Sequence, residues 1–128
     1  MTIKRYGTEK VGPGGQILPF ARAVEAGGFL FVSGDIPMDK GEVIEGGIIA
    51  QTHQTMKNLI CTLEEAGYGL KDVVRVGIWL DDTRDFGAFN SVFKEYFGDA
   101  PPARSCVQSM ITVNCKMEIE LTAYKDPA

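Results

Sequence analysis

Positive charge is scarce in this sequence: 13 Lys and Arg face 17 Asp and Glu, which leaves a formal net charge of -4 and a pI near 5.0. A grip on phosphate backbones or anionic lipid needs clustered Lys and Arg, so neither nucleic acid nor a membrane surface is an expected partner. Cysteine is sparse as well. Cys61, Cys106 and Cys115 are an odd number at spacings that fit neither a disulfide framework nor a CxxC zinc site, so no structural metal is expected and a reducing cytoplasm is the expected compartment. No apolar run approaches membrane-spanning length, and Met1 to Lys10, with Lys4, Arg5, Glu9 and Lys10, lacks the apolar core of a secretory signal.

What is present suits one globular domain over residues 1–128: 45% hydrophobic and 23% charged residues, enough for a single core and too few for a second. Gly12 to Gly15 predicts a sharp turn after a short first segment. Phe20–Val24 and Phe29–Val32 read as β-prone runs joined by a Glu25-Ala26-Gly27-Gly28 turn, with Ser33 to Pro37 ending the second strand. From Gly47 to Ala66, Ile49, Thr52, Met56, Leu59, Ile60 and Leu63 recur at three- and four-residue steps, the stripe of an amphipathic helix that Gly67 stops. Val73–Leu80 predicts a largely buried strand.

A second helix is expected after an N-cap at Asp82 or Thr83. Its stripe of Phe86, Phe89, Phe93, Tyr96 and Phe97 is read as core, because aromatic side chains dominate packing energy. Ala103–Ser109 and Lys116–Lys125 alternate as two further strands. The order β-β-β-α-β-α-β-β predicts an α+β fold, a mixed sheet with two helices packed on one face and the other face bare in a single copy.

Alternation puts Arg104, Cys106 and Gln108 on one side of their strand, and Glu118, Glu120 and Thr122 on one side of theirs. If the two strands are neighbours, Arg104 and the glutamates share the helix-free face. Two readings of that grouping stand open. One is a solvated cross-strand ion pair worth about 0–1 kcal/mol. In the other, an oligomer covers the face, Arg104 clamps an anion bidentately, and a partly desolvated Glu acts on water or a proton.

Ser33-Gly34-Asp35-Ile36-Pro37, Asp85-Phe86-Gly87-Ala88-Phe89-Asn90, Pro102-Ala103-Arg104-Ser105-Cys106-Val107 and Lys116-Met117-Glu118-Ile119-Glu120 resemble, in order and spacing, the signatures of the Rid (reactive intermediate deaminase, or YjgF) family. The likeness runs over roughly residues 16 to 124. It implies a chorismate-mutase-like fold assembled as a homotrimer with sites in clefts between subunits, and hydrolytic deamination of 2-imino or enamine acids such as 2-aminoacrylate to 2-keto acids and ammonia. That is the activity of a 2-iminobutanoate/2-iminopropanoate deaminase. In this resemblance Arg104 binds the substrate carboxylate and Glu118 positions the attacking water. Ser33 and Gly34 line the site wall, Asn90 its edge, and the backbone near Cys106 helps hold the carboxylate.

No cofactor is implied, because an imine carbon is already electrophilic. Cys106 and the sole histidine, His53, are read as non-catalytic, since a nucleophilic Cys needs a base or a strongly lowered pKa. Two positions depart from the family. Phe20 stands where a site tyrosine is common, and Met110–Cys115 lacks a frequent Leu-Pro pattern and is about one residue short. These departures leave the substrate open, with an aminomuconate-like, pathway-specific enamine as an alternative. A non-catalytic trimeric module binding small carboxylates is another. Ribonuclease or translation inhibition, attached to some members, sits poorly with the acidic balance.

Overall fold

A computed structural model describes residues 2–12 and 14–127. Eight strands and two helices follow in the order β1 (Lys4–Tyr6), β2 (Ala23–Ala26), β3 (Phe29–Asp35), β4 (Met38–Asp39), β5 (Glu42–Val43), α1 (Ile48–Glu65), β6 (Val73–Leu80), α2 (Phe86–Phe97), β7 (Ala103–Gln108) and β8 (Met117–Tyr124). Six of the strands form one mixed sheet in the order β1-β2-β3-β8-β6-β7, while β4 and β5 make a separate small hairpin. The Gly12–Gly15 stretch does turn, with Gly15 N–H donating to the Gly12 carbonyl at 3.0 Å; Pro13 lies outside the described residues. The β2–β3 turn is tighter than the sequence suggested. Gly27 and Gly28, at φ 58° and 88°, make a two-residue connection that admits Glu25 and Ala26 to the strand, and β2 begins at Ala23 rather than Phe20.

Both helices pack on one face of the sheet. Met117, Ile119, Leu121 and Ala123 of β8 are at most 3% exposed and meet Val76 and Ile78 of β6, Leu30 and Val32 of β3, and Met56, Leu59 and Leu63 of α1 in one core. Burying each such side chain contributes about 1.5–3 kcal/mol, which fixes the faces of β8 and β6. The α1 stripe holds at Thr52, Met56, Leu59 and Leu63, but at its start Ile48, not Ile49, is buried. In α2, Phe89, Phe93 and Phe97 are core as expected, but Phe86 is 46% exposed. β6 alternates instead of being buried on both sides, with Val74 46% exposed, because the second face of the sheet carries no helix.

The largest departure concerns β7. It pairs in parallel with β6 and not with β8, which inserts between β3 and β6. The cause is topological: β6, α2 and β7 form a β-α-β crossover, whose two strands run parallel. The Ser109–Lys116 connection then carries the chain back across the sheet end.

Candidate functional site

Register decides which side chains can meet. Arg104 is level with Val76, and Val76 with Leu121, so Arg104 stands on the helix-covered face; Cys106, level with Ile78 and Ile119, stands there too. Glu118 is level with Trp79, and Trp79 with Val107, on the opposite, helix-free face. The expectation that Arg104 and the glutamates share a face is therefore wrong. With β7 at the edge and β6 between it and β8, two strand spacings of about 4.8 Å and the thickness of the sheet separate them. The cross-strand ion pair is excluded with it.

Around Arg104 the edge position explains how a cation tolerates the helix face. Its guanidinium carbon lies 4.8 Å from the Phe93 ring centroid, 5.8 Å from Phe86 and 5.9 Å from Phe89, so the charge rests on three aromatic faces at the rim of the core. Nη2 donates to Asn90 Oδ1 on α2. Among the described residues, no carboxylate lies within ion-pair distance of this guanidinium, so its fork is open to an anion. Cys106, two residues along the same face, has its thiol pushed up by burial against a smaller lowering from Arg104, the opposite of an activated nucleophile. His53 Nδ1 is 2.7 Å from Tyr96 Oη, a tie between α1 and α2, and His53 lines neither the Glu118 cleft nor the pocket beside Arg104.

A second group gathers on the helix-free side. Ser33 and Gly34 form a bulge, two residues of β3 spanning the interval that Glu120 alone spans in β8. The bulge opens a cleft of about 330 Å³ lined by Phe20, Ser33, Gly34 and Glu118, together with Lys10, Gln16, Leu18, Ile36, Met38, Thr112 and Val113. Gly34 is required by close approach: a Cβ there would stand 2.1 Å from Glu118 Oε2. The Ser33 hydroxyl donates to the Ala21 carbonyl at 2.6 Å, which ties the bulge to the segment carrying Phe20.

Glu118 is half-buried, and its carboxyl is pushed above the ordinary 4.5, first by burial and then by Glu120 and Asp35, with Lys10 opposing. Such a group passes readily between carboxylate and acid, which is what moving a proton from water requires. Asp35 is buried on the α1 side, where it lines a second cavity with Asn58 and Thr62; its carboxyl is also pushed up by burial, and Lys10, which borders both cavities, has its Nζ 3.8 Å from Oδ1. Lys10 and Asp35 were missed as site residues. Lys10 lies in an irregular segment with no periodicity to assign its side chain, and Asp35 was read as part of a strand end. The expected residues thus form two half-sites on opposite faces: Phe20, Ser33, Gly34 and Glu118 in the cleft; Asn90, Arg104 and Cys106 at the far edge.

A family model described as Endoribonuclease L-PSP matches residues 15–125. A RutC family protein of Pyrococcus horikoshii is 44% identical over 111 residues, covering 84% of this chain and 88% of the relative. Among solved structures, yeast Mmf1 superposes with a TM-score of 0.88 at 30% identity, covering 98% of this chain and 100% of its own. YyfA of Yersinia pestis, of the conserved Rid protein family, superposes with a TM-score of 0.84 at 28% identity over 95% of this chain and 100% of its own.

Proposed function

Since the chain belongs to the Rid/YjgF family, we propose that it hydrolyses reactive 2-imino and enamine acids to 2-keto acids and ammonia in a site completed by a second copy of the chain. The observation that carries this reading is the separation of the half-sites. Arg104 has an open fork and no acid to pair with, the Glu118 cleft holds no guanidinium to clamp a carboxylate bidentately, and no small molecule reaches both within one copy. In the proposed homotrimer the partner subunit's Arg104 closes over the cleft of this copy, covering the bare sheet face where Phe31 and Val107 are 49% and 51% exposed.

The chemistry needs only residues of the chain. Arg104 holds the substrate carboxylate, with Asn90 setting the guanidinium plane. Glu118 accepts a proton from water as the water oxygen bonds to the imine carbon, and the proton passes to the nitrogen of the resulting carbinolamine. Collapse to the ketone breaks the C–N bond and releases ammonia, so imine and water give keto acid and ammonia. Phe20 supplies an apolar wall in place of a hydroxyl, which leaves proton transfer to Glu118.

The test is subunit mixing. Imine is generated in a coupled assay and keto-acid release is followed with wild type, Arg104→Ala, Glu118→Gln, and the two variants co-expressed. Each variant alone is expected to lose the acceleration. The co-expressed pair is expected to recover about a quarter of it, because half the subunits carry each intact residue and a shared site draws one from each. No recovery, from properly assembled mixed oligomers, overturns the shared site. No acceleration by wild type with carboxylate binding intact points instead to the non-catalytic module, and cleavage of an RNA control would favour the activity in the matched family model's description, against the net charge of -4.

A further inference from the structure

Lys10 is unaccounted for by hydrolysis of a small imino acid. Among the described residues lining the Glu118 cleft it is the one cation, and its side chain is only 17% exposed. Its neighbour Asp35 lies 3.8 Å from Nζ, beyond hydrogen-bond distance, and Asp35 Oδ1 already accepts the Ile36 N–H at 2.9 Å. None of the three ammonium N–H groups donates to a described acceptor, which leaves them to solvent or to a bound acceptor. The Phe20 ring, 5.8 Å from Nζ, holds the ammonium on the cleft side without using a donor. Lys10 also borders a second cavity of about 250 Å³, whose wall carries Arg22, Lys40 and Asp35, with Arg22 ion-paired to Glu65.

Size points the same way. A three-carbon imino acid has six non-hydrogen atoms, and even at about 30 Å³ each, a water molecule's share of liquid volume, it leaves nearly half of the 330 Å³ cleft open. We infer that Lys10 is a specificity-determining residue that receives a second, distal acidic group, and that the substrate class of this chain is a 2-imino dicarboxylate. The inference rests on the proposed deaminase reading. The partner subunit's Arg104 takes the carboxylate beside the imine, Glu118 serves the imine carbon, and Lys10 binds the carboxylate at the other end. Asp35, 3.8 Å from Nζ, fixes where the ammonium stands, so it acts through Lys10 and does not touch substrate.

The experiment compares two imines of equal chain length made in situ by amino-acid oxidases, one from glutamate and one from norvaline. Wild type is expected to favour the dicarboxylate in kcat/KM. Lys10→Met is expected to reduce that ratio by about tenfold, the low end for a hydrogen bond between charged groups, and Lys10→Arg to restore part of it. A general loss of fold lowers both rates and leaves the ratio alone. An unchanged ratio in Lys10→Met, or a wild type that favours the norvaline imine, overturns the inference while the deaminase reading stands. If neither imine is hydrolysed faster than in buffer, the deaminase reading fails. Calorimetric binding of 2-oxoglutarate against 2-oxopentanoate then tests Lys10 without turnover: tighter 2-oxoglutarate binding lost in Lys10→Met supports its role, and equal affinities refute it.

Discussion

Replacing Gly34 by alanine separates the cost of folding from the cost to the proposed chemistry. The added Cβ would lie 2.1 Å from Glu118 Oε2, whereas ordinary contact begins near 3.4 Å, so the carboxylate must withdraw by more than 1 Å. What has to move is the end of a flexible, half-buried side chain. The backbone at Gly34 is not in the left-handed region, so alanine fits it without strain. The expected loss of stability is therefore small, under about 1 kcal/mol, at the mild end of overpacking.

A catalytic group displaced by about 1 Å, in contrast, can lower a rate by about a hundredfold. The predicted signature of Gly34→Ala is a chemical-denaturation midpoint close to wild type with imine hydrolysis reduced about a hundredfold, chiefly in kcat. Both are measured on one preparation, by urea unfolding followed by fluorescence and by keto-acid release. Full activity in a folded Gly34→Ala protein would refute the requirement that Glu118 occupy its present position. A large loss of stability would refute the premise that only the carboxylate yields.

Gly28→Ala should behave in the opposite way, because its Cβ would meet the Lys125 carbonyl at 2.5 Å from a φ of 88°; urea unfolding should show a loss of about 2 kcal/mol or more. For Glu118, the native pKa lies above the unfolded value. The favourable protonated state is fully available below the unfolded pKa, and its contribution is lost as pH rises through the native one. Glu118→Gln should thus be at least as stable as wild type at pH 7 and lose that stretch of pH dependence in unfolding titrations. The acid limb of the wild-type kcat profile, where substrate offsets the partner subunit's guanidinium, should sit above the ordinary 4.5 for the same reason. Arg104→Lys keeps the charge but loses the planar fork and its rest on Phe93; KM for imino acids should rise about tenfold or more, while stability measured by thermal melting changes by about 1 kcal/mol at most.

Local pattern carried the elements and most of the core. The α1 and α2 stripes, the β8 alternation and the Gly27-Gly28 turn each state a period or a backbone requirement within a few residues, and each is found in the fold within a shift of one to three positions. Strand neighbourhood is not local, and there the reading failed. Taking β7 and β8 as neighbours put Arg104 and Glu118 on one face, although β6, α2 and β7 already read as strand, helix and strand. A crossover of that kind makes β6 and β7 parallel neighbours and sends β8 elsewhere. Lys10 was illegible for a different reason: the described residues between Gly7 and Ala21 form no regular strand or helix, so the direction of its side chain depends on contacts with Asp35 and Phe20, which sequence spacing does not encode.

The corrected geometry strengthens the functional argument it first seemed to weaken. On one shared face, Arg104 and Glu118 would neutralise each other, giving a carboxylate near its ordinary pKa and a guanidinium already occupied. On opposite faces each keeps what the proposed reaction needs. The guanidinium retains an open fork on an aromatic platform, and Glu118 stays poised to change protonation with only Lys10 opposing its rise. In the proposed homotrimer, docking the partner subunit's Arg104 over the cleft would do two things at once: remove water around Glu118 and introduce a cation bound for the substrate's own negative charge. With substrate present the two charges offset, so Glu118 remains a usable base; without it the nearby guanidinium favours the carboxylate. The proposed assembly would therefore couple substrate binding to the basicity of Glu118, and the acid limb of kcat should lie higher than that of kcat/KM.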